Sequence, residues 1–326
     1  MRKRKKIIII IAFLLLVSLF PLLLNDTLWH EKDKKIYNIS IITRGKNSES
    51  LIIMKQGMDQ AASEMNVNTS FVTLSEDNSI DEQNKLIERE IKNNADAIII
   101  SPVDFERMVK PIENAMKKVP VILFESTVDS KYVEPSISCD NYNLGVNLGK
   151  EVIKNGKMCS NIAIIKNNLN CSSIKERYDG FMSVMENAEN NYIFWELKDE
   201  KQQTYYNQGK SLLENNNVDV VVTFDTGILE GISEAKKDLI NTNKEKAAIE
   251  IYGAGSTSKI ISLLEDKTIK AIAIQNEFNV GYLSIKSAVN RIKGENMDNS
   301  NISSTVVNRE NMYSEENQRL LFPFIR

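Results

Sequence analysis

The stretch ADAIIISPVDFERMVKPIENAMKKVPVILFES, residues 95–126, contains one complete strand–helix–strand unit. Its two apolar segments, ADAIIIS (95–101) and VPVILF (119–124), are short, as expected of strands that helices cover on both faces. The segment between them, FERMVKPIENAMKK (105–118), is predicted to be a helix. A helix that joins two such strands is the crossover of a parallel sheet, so the stretch predicts an α/β fold.

The same alternation runs from residue 36 almost to the end of the chain. In SLIIMKQGMDQAASEM (50–65), apolar residues recur at spacings of three and four, which indicates an amphipathic helix. Later strands are predicted at ISC (137–139) and at SSTVV (303–307), and a mostly irregular tail follows. Around ten parallel strands are too many for one compact open sheet, so we expect two doubly wound sheets side by side.

The amino terminus joins a basic run, RKRKK (2–6), to an uncharged apolar stretch, IIIIIAFLLLVSLFPLLL (7–24). As a helix the apolar stretch would span roughly 27 Å, close to the hydrocarbon thickness of a bilayer. The basic flank favours a cytoplasmic start. We therefore interpret residues 1–35 as a cytoplasmic tail, a single-pass anchor and a linker, with the rest of the chain outside the cell. A cleaved signal peptide is the alternative, although no A-x-A-like site follows.

Composition and charge exclude several classes of function. Lys+Arg 41 and Asp+Glu 44 give a formal charge of -3, so no basic surplus indicates nucleic-acid binding. Cys139, Cys159 and Cys171 fit neither a disulfide framework nor a zinc pattern, and we interpret them as small buried or half-buried residues. Whether one pair is oxidised stays open. Because Cys139 is the first cysteine, no lipoprotein cysteine follows the apolar stretch.

Signatures of catalysis are mostly missing from the sequence. The one histidine, His30, lies next to the apolar stretch, which removes a histidine-dependent triad. Neither a G-x-S-x-G elbow nor a P-loop occurs. In YGAGSTSK (252–259), Ser258 stands where a dinucleotide fingerprint needs its third glycine, so a tight turn into a helix is the better interpretation. We expect no cofactor and no metal, because no His or Cys cluster accompanies the carboxylates.

Polar or charged side chains follow several of the predicted strands. In doubly wound folds, ligands bind at the carboxyl ends of the strands. Because these side chains come from separate strands that end at that edge, we predict that they line one site with paired donors and acceptors. They are Arg44, Glu125, Asp140, Asn141, Lys175, Asp225 and Gln275.

Lys175 breaks a local rule of helix formation. We predict a helix start at Ser173, with Glu176 three residues on completing a capping box. Lys175 then lies in the first turn, where the helix dipole disfavours a cation. We interpret the lysine as facing a crevice, and a solvated surface lysine is the alternative.

Seven motifs occur along the chain in a characteristic order: DAIIISPVD, VPVILFES, SCDNYNLGVNLGKEV, IKERYDGF, YGAGST, IAIQNEFNVGY and VVNRENMYSEENQRLLFP. With them, the chain from residue 36 onward resembles the type I periplasmic binding proteins, the ribose- and galactose-type sugar receptors of ABC importers. These proteins are related to LacI-type repressor cores. A repressor is excluded here, because an apolar segment stands where a helix-turn-helix would be.

The resemblance implies two Rossmann-like, doubly wound parallel-sheet lobes joined by a three-strand hinge, with a sugar-like ligand clamped between them. The first lobe would comprise residues 36–139 and 276–305. The second would comprise 140–275 and 306–326. Asp140, Gln275 and the segment near residue 305 would then lie at or near the hinge.

The resemblance also implies which residues contact the ligand. Arg44 and Ser48 match first-loop contacts, while Glu125 and Ser126 take the place of an Asp-Arg pair that binds sugar hydroxyls. Lys175 stands where an arginine is usual. The matches to contacts in the second lobe and the hinge are Asn141, Lys175, Asp225 and Gln275.

The chain departs from this family pattern in two places. Sugar receptors stack the ring on aromatic residues of the first loop, where this chain has Ser50 and Leu51, and Gly255 replaces an expected aspartate. Without aromatic stacking, more of the affinity must come from polar contacts. We therefore expect a small polyhydroxylated or partly anionic ligand, without assigning ribose or galactose.

The resemblance implies a non-catalytic, monomeric solute-binding protein outside the cytoplasm that presents its closed form to an ABC sugar importer. A ligand-sensing accessory of a membrane histidine kinase is the alternative, toward which the missing lipoprotein cysteine leans slightly. An extracellular carbohydrate-active enzyme is the third possibility. It would need Glu125 and Asp225 as acid and base on opposite sides of a substrate.

Overall fold

The computed structural model describes residues 35–45, 49–76, 78–134, 136–197, 202–215, 217–296 and 302–322. The predicted anchor at 7–24 and the predicted contact residue Ser48 lie outside these ranges, so both stay predictions. Of the helices within the described ranges, none is long and apolar enough to cross a membrane.

Four parallel strands form the first sheet, in the order β2–β1–β3–β4. These strands are β1 (Tyr37–Ile42), β2 (Val67–Val72), β3 (Ala97–Ile100) and β4 (Val121–Leu123). The helices that connect them are α1 (Glu49–Met65), α2 (Ile80–Lys92) and α3 (Val109–Met116). Every residue of β3 is buried, which explains its purely apolar sequence.

Six strands form the second sheet, in the order β10–β9–β8–β7–β5–β6. They are β5 (Asn161–Ile165), β6 (Asn191–Trp195), β7 (Val220–Thr223), β8 (Glu250–Ala254), β9 (Ala271–Gln275) and β10 (Ser304–Asn308). The helices that follow the first sheet in the chain are α4 (Asn141–Lys154), α5 (Ser172–Met185), α6 (Gln202–Asn215), α7 (Thr226–Thr242), α8 (Ser258–Glu265), α9 (Glu277–Ile292) and α10 (Glu315–Leu321), and Lys244–Ala248 form a 3₁₀ helix. The predicted alternation of strands and helices is thus confirmed.

The chain passes between the two sheets three times. The segment after β4 leads to α4, which packs on α5 and on β8, β9 and β10. The chain then returns from β9 to α9, which packs on α1 and on β1, β3 and β4 of the first sheet. From α9 it crosses once more into β10. We use "first lobe" and "second lobe" below for each sheet with the helices that pack on it.

Strand β10 runs antiparallel to β9, so the prediction that all strands are parallel is wrong for this one. Ser304, at the start of β10, pairs with Gln275, at the end of β9. The chain therefore enters the second sheet from the edge where the parallel strands end. The predicted lobe boundary after residue 305 falls inside β10, and the other boundaries stay predictions.

Three further expectations differ from the structure in detail. The segment ISC does not form a strand, because Ile137 makes only an isolated bridge to Phe124. The predicted helix at 105–118 begins only at Val109, since the Asp104 carboxylate accepts hydrogen bonds from two backbone N–H groups of a preceding turn. The tail expected to be irregular contains α10, whose N-cap Ser314 accepts a hydrogen bond from the backbone N–H of Asn317.

Candidate functional site between the lobes

The carboxyl ends of the strands in the two sheets face each other, and their loops are in direct contact. The backbone N–H of Phe105, after β3, donates to the carbonyl oxygen of Asn170, after β5, over 2.8 Å. The N–H of Thr127, after β4, donates to Ser172 Oγ over 2.7 Å. The structure therefore has the two lobes closed on one another.

Arg44 lies between the lobes, immediately past β1. Burial lowers the pKa of its guanidinium, but the neighbouring Cys171 and two carboxylates raise this pKa by more. The carboxylates are Glu125, from the first lobe, and Asp225, from the second. Arg44 Nε is buried and has no hydrogen-bond partner among the described residues.

Glu125 has a strained backbone. Its φ of 58° lies in the left-handed region, which non-glycine residues rarely adopt. The conformation is fixed by a hydrogen bond from its N–H to the carbonyl of Ile137, and Ser101 Oγ donates to its carboxylate over 3.2 Å. Strain of this kind persists where the surroundings enforce it and is frequent at ligand sites.

Ser126 joins the lobes instead of pointing to open space. Its buried Oγ lies 2.8 Å from Cys171 Sγ and 3.0 Å from Ser173 Oγ. This contact engages the hydroxyl of Ser173, which we predicted to cap the helix as part of a capping box. Helix α5 instead begins at Ser172 with Cys171 as its N-cap, which makes no side-chain capping bond.

We expected Lys175 to face the crevice, but in the structure its side chain lies on the exposed surface of α5. The ammonium group lies 2.5 Å from the carboxylate of Asp179, one turn further along α5. Side chains four residues apart on a helix meet on the same face. Here that face is exposed, with 49% of the Lys175 side chain accessible. Contact of Lys175 with a ligand stays a prediction, and it requires the side chain to leave Asp179.

The cation that α5 turns inward is Arg177, which the sequence analysis missed. Its Nε donates to Asn141 Oδ1 over 2.8 Å. Arg177 is four residues from Ser173, which contacts the first lobe, so the two share a helix face. This spacing was the signal in the sequence that could have identified it.

Asn141 and Gln275 are buried near the points where the chain crosses between the sheets. Asn141 Nδ2 donates to Ser138 Oγ and to the carbonyl of Cys139, over 3.0 and 3.3 Å. Gln275 Oε1 accepts from the N–H of Cys139 over 3.4 Å, and its Nε2 donates to Glu277 Oε2 over 3.2 Å. Both amides are thereby held in fixed orientations.

Glu277 is the second residue that the sequence analysis missed. Burial raises the pKa of its carboxyl group to about 8, and repulsion by Glu125 adds to the rise. Arg177 and the hydrogen bond from Gln275 oppose it without cancelling it. Little in the sequence pointed to this residue, because Glu277 lies two residues beyond a strand end, in the first turn of α9.

Asp225 is the N-cap of α7 and also faces the cleft. Its Oδ1 accepts from the N–H groups of Gly227 and Ile228, over 2.9 and 3.2 Å. Its Oδ2 accepts from Asn168 Nδ2 over 3.1 Å, and Asn168 Oδ1 accepts from Asn78 of the first lobe over 3.3 Å. The aspartate is thus connected to both lobes.

The two departures from the family pattern have clear structural counterparts. Ser50 and Leu51 are buried in the first turn of α1, and Ser50 Oγ has no partner among the described residues. Gly255 has a φ of 143°, and a Cβ there would lie 2.8 Å from Thr226 Cγ2 and 2.9 Å from Ile260 Cδ1. The tight turn predicted at YGAGST is therefore confirmed, and an aspartate does not fit in this turn.

The three cysteines are free, and the expectation of buried or half-buried residues is wrong for Cys159, which is exposed. Across the described ranges, no cluster of His, Cys, Asp and Glu could hold a metal ion. The cleft instead brings together two guanidinium groups and three carboxyl groups with serine and amide side chains. Such a set can donate to and accept from the hydroxyls of a small polar molecule.

Comparison with protein families gives one match. The profile of a family described as periplasmic binding protein domain matches residues 39–296, which cover most of the chain. Comparison with curated protein sequences finds no match.

Solved structures share the fold over nearly the whole of their own length. One is a carbohydrate transporter solute binding protein from Agrobacterium radiobacter in complex with D-arabinose (24% identity, TM-score 0.81, covering 88% of this chain and 99% of that chain). Another is an ABC transporter solute binding protein from Agrobacterium vitis with bound D-fucose (19% identity, TM-score 0.79, covering 87% of this chain and 100% of that chain). A third is a XylFII–LytSN complex (22% identity, TM-score 0.75, covering 84% of this chain and 98% of that chain). At these identities the similarity establishes the fold alone.

Proposed function

The chain belongs to the periplasmic binding protein family, and we propose that it is a non-catalytic solute-binding protein that acts outside the cytoplasm. It clamps a small polar, sugar-like ligand between its lobes. The observation that carries this proposal is the buried, unpartnered Nε of Arg44 between carboxylates of both lobes. A buried donor without a partner is costly, so a ligand oxygen is expected to complete its hydrogen bonding.

The sugar class is supported by the similar structures with D-arabinose and D-fucose. It is also supported by the polar character of the cleft. Each sugar hydroxyl both donates and accepts, and can therefore satisfy Arg44 and the carboxylates together. Binding then closes the lobes about the three crossovers, and the closed form is presented to an ABC sugar importer.

A sensory role is the second candidate. In this role the closed form is recognised by a membrane histidine kinase instead of a permease. The similar structure of a XylFII–LytSN complex supports it, because the same fold there occurs in complex with a second protein. Co-purification of the chain from its native membranes, followed by mass spectrometry, decides between permease and kinase.

We propose in addition that residues 7–24 form an uncleaved, single-pass signal anchor. The basic run before it and the lack of a cleavage motif support this proposal. Membrane fractionation and amino-terminal sequencing of the native protein test it. A mature chain that begins beyond about residue 25, or release into the medium, contradicts it.

The binding proposal is tested by calorimetry on the full chain in detergent, with D-arabinose, D-fucose, D-allose and myo-inositol as probes. We expect at least one sugar to bind and to be recovered unchanged. Arg44→Met should weaken that binding at least roughly tenfold. The exposed Arg309→Met, which removes the same charge away from the cleft, should not. Failure of all four probes to bind contradicts the proposed sugar-like class, and turnover of a bound probe contradicts the non-catalytic role.

A further inference from the structure

One short turn of the second lobe contacts the first lobe at several points. This β5–α5 turn comprises residues 168–173, between the end of β5 and the start of α5. Its bonds to the first lobe are made by Asn168, Asn170, Cys171, Ser172 and Ser173. They reach three separate segments, which follow β2, β3 and β4. The contact between the lobes is therefore concentrated on a single turn.

The β5–α5 turn is shaped within the second lobe itself. Asn168 has a φ of 58°, in the left-handed region that asparagine adopts more readily than most residues. The N–H of Cys171 donates to the carbonyl oxygen of Asn168 over 2.9 Å and closes the turn. Just before the turn, the buried Asn167 side chain bonds to the N–H and the carbonyl of Leu197, over 2.9 and 3.2 Å. The turn therefore keeps its shape when the lobes separate, so closing orders little additional chain.

Asn168 connects this contact to the ligand site. Its Nδ2 donates to Asp225 Oδ2 over 3.1 Å, and its Oδ1 accepts from Asn78 Nδ2 over 3.3 Å. The N–H of Asn78 in turn donates to the carbonyl oxygen of Arg44 over 2.9 Å. A continuous chain of hydrogen bonds thus runs from the backbone of Arg44 in the first lobe to the carboxylate of Asp225 in the second. All of its members are protein groups.

We propose that the β5–α5 turn is a latch that holds the lobes closed by its own bonds, and that Asn168 is a positioning residue that fixes Asp225 in the closed form. The inference rests on the proposed function, because a latch acts only on lobes that open and close. Each bond contributes modestly, but all of them act on the same equilibrium. The closed form is therefore populated before a ligand arrives, and the ligand raises its population further.

A latch of this kind determines how long a ligand stays bound. The polar side chains of the turn are engaged with other protein groups, so they act on binding through closure. A ligand enters and leaves through the open cleft, where the latch bonds are broken. Weakening the latch should therefore speed dissociation and change association little.

The first test measures closure without a ligand. Cys171 is 1% exposed, and its Sγ lies in the contact between the lobes, so we expect its thiol to react when the lobes separate. The full chain in detergent carries Cys159→Ser, which removes the exposed thiol. It is treated with iodoacetamide, and the rate of modification at Cys171 is followed by peptide mass spectrometry.

Asn78→Gly weakens the latch from the first lobe, at a position remote in sequence from Cys171. Glycine adopts the φ of 59° at this position without strain. We expect Cys171 to be modified about three- to tenfold faster than in the parent chain, as loss of one hydrogen bond implies. Asn94→Gly is the matched control, because Asn94 has the same φ in the same lobe and is exposed. Equal rates in Asn78→Gly and the parent chain overturn the latch.

The second test follows binding of D-arabinose and D-fucose by stopped-flow fluorescence. For whichever sugar binds, Asn168→Gly should raise the dissociation rate about three- to tenfold and change the association rate by less than about twofold. A general loss of folded protein would lower the amplitude of binding and leave the dissociation rate unchanged. Asn94→Gly should match the wild type.

The double variant tests whether the two asparagines act through their shared bond. In the Asn168→Gly background, Asn78→Gly should have little further effect, because the bond between them is already lost. Fully additive effects, or dissociation rates equal to that of the wild type, overturn the proposal. If neither sugar binds, the proposed sugar specificity fails instead. The modification rate of Cys171 then decides the proposal about the latch by itself.

Discussion

Arg177 Nε donates a hydrogen bond of 2.8 Å to Asn141 Oδ1, and this bond ties α5 to the first turn of α4 beside the hinge. Asn141 is buried, and its own N–H groups are used by Ser138 and Cys139. Arg177 therefore supplies the charged donor to the amide oxygen of Asn141. This makes the pair a structural link as well as part of the wall of the cleft.

Arg177→Met should destabilise the protein by about 1–3 kcal/mol, because it leaves a buried amide oxygen without its charged donor. Lys175→Met removes a cation two residues away on the exposed face of the same helix, and should change stability by less than about 1 kcal/mol. Urea denaturation of the two variants measures the difference. Equal effects would mean that the Arg177–Asn141 bond adds nothing to stability.

Lys175→Ala tests whether the lysine turns into the cleft when a ligand binds. We expect sugar affinity to fall at least roughly tenfold, because a charged hydrogen bond to the ligand is lost. Asp179→Asn weakens the hold on the lysine in the free protein and should not reduce affinity. Calorimetry measures both variants. Unchanged affinity in Lys175→Ala would leave the lysine as a surface residue paired with Asp179.

Gly255→Ala should be more destabilising than Gly156→Ala. Both glycines have a positive φ, which disfavours any side chain. At Gly156 nothing lies within 4 Å of an added Cβ, whereas at Gly255 the Cβ meets Thr226 and Ile260. We expect the Gly255 variant to lose roughly 1–3 kcal/mol more in denaturant unfolding. Similar losses at both positions would show that the turn yields to the side chain.

The stability of the protein should fall as pH rises toward the alkaline range. The pKa of Glu277 is about 8 when folded and near 4.5 when unfolded, so the folded state binds the extra proton between these values. Its stabilising contribution is complete below the unfolded pKa and is lost as pH rises through about 8.

Glu277→Gln should therefore melt at a higher temperature than the wild type above pH 8, and the gap should narrow toward acidic pH. Scanning calorimetry at several pH values checks this, with Glu295→Gln as the control. A constant gap at all pH values would exclude titration of Glu277 as its cause.

Most of the fold could be predicted because each apolar strand and each amphipathic helix is encoded locally. The direction of β10 could not be predicted, since the segment SSTVV suits a parallel and an antiparallel strand equally well. Direction depends on where the preceding helix packs, and α9 packs on the other sheet. The partner of a helix is a tertiary property that local patterns do not contain.

For the site, strand ends were better guides than helix starts. Arg44, Glu125 and Asp225 each follow a strand directly, and the structure brings them together. On α5 the prediction singled out Lys175 and missed Arg177, because successive side chains on a helix point about 100° apart and the sequence does not show which direction is inside. Lys175 and Arg177 therefore lie on different faces, and only contacts with the other lobe reveal which face is inside.

The three crossings also determine when each lobe can fold. Helix α9, which the first lobe needs to cover α1, ends at Ile292, and β10, which completes the second sheet, ends at Asn308. Neither lobe is complete until nearly the whole chain has left the ribosome. Pairing partners so distant in sequence slow folding and leave apolar surface exposed meanwhile. Until its last strand is made, a nascent chain of this protein therefore exposes apolar surface that is prone to aggregation.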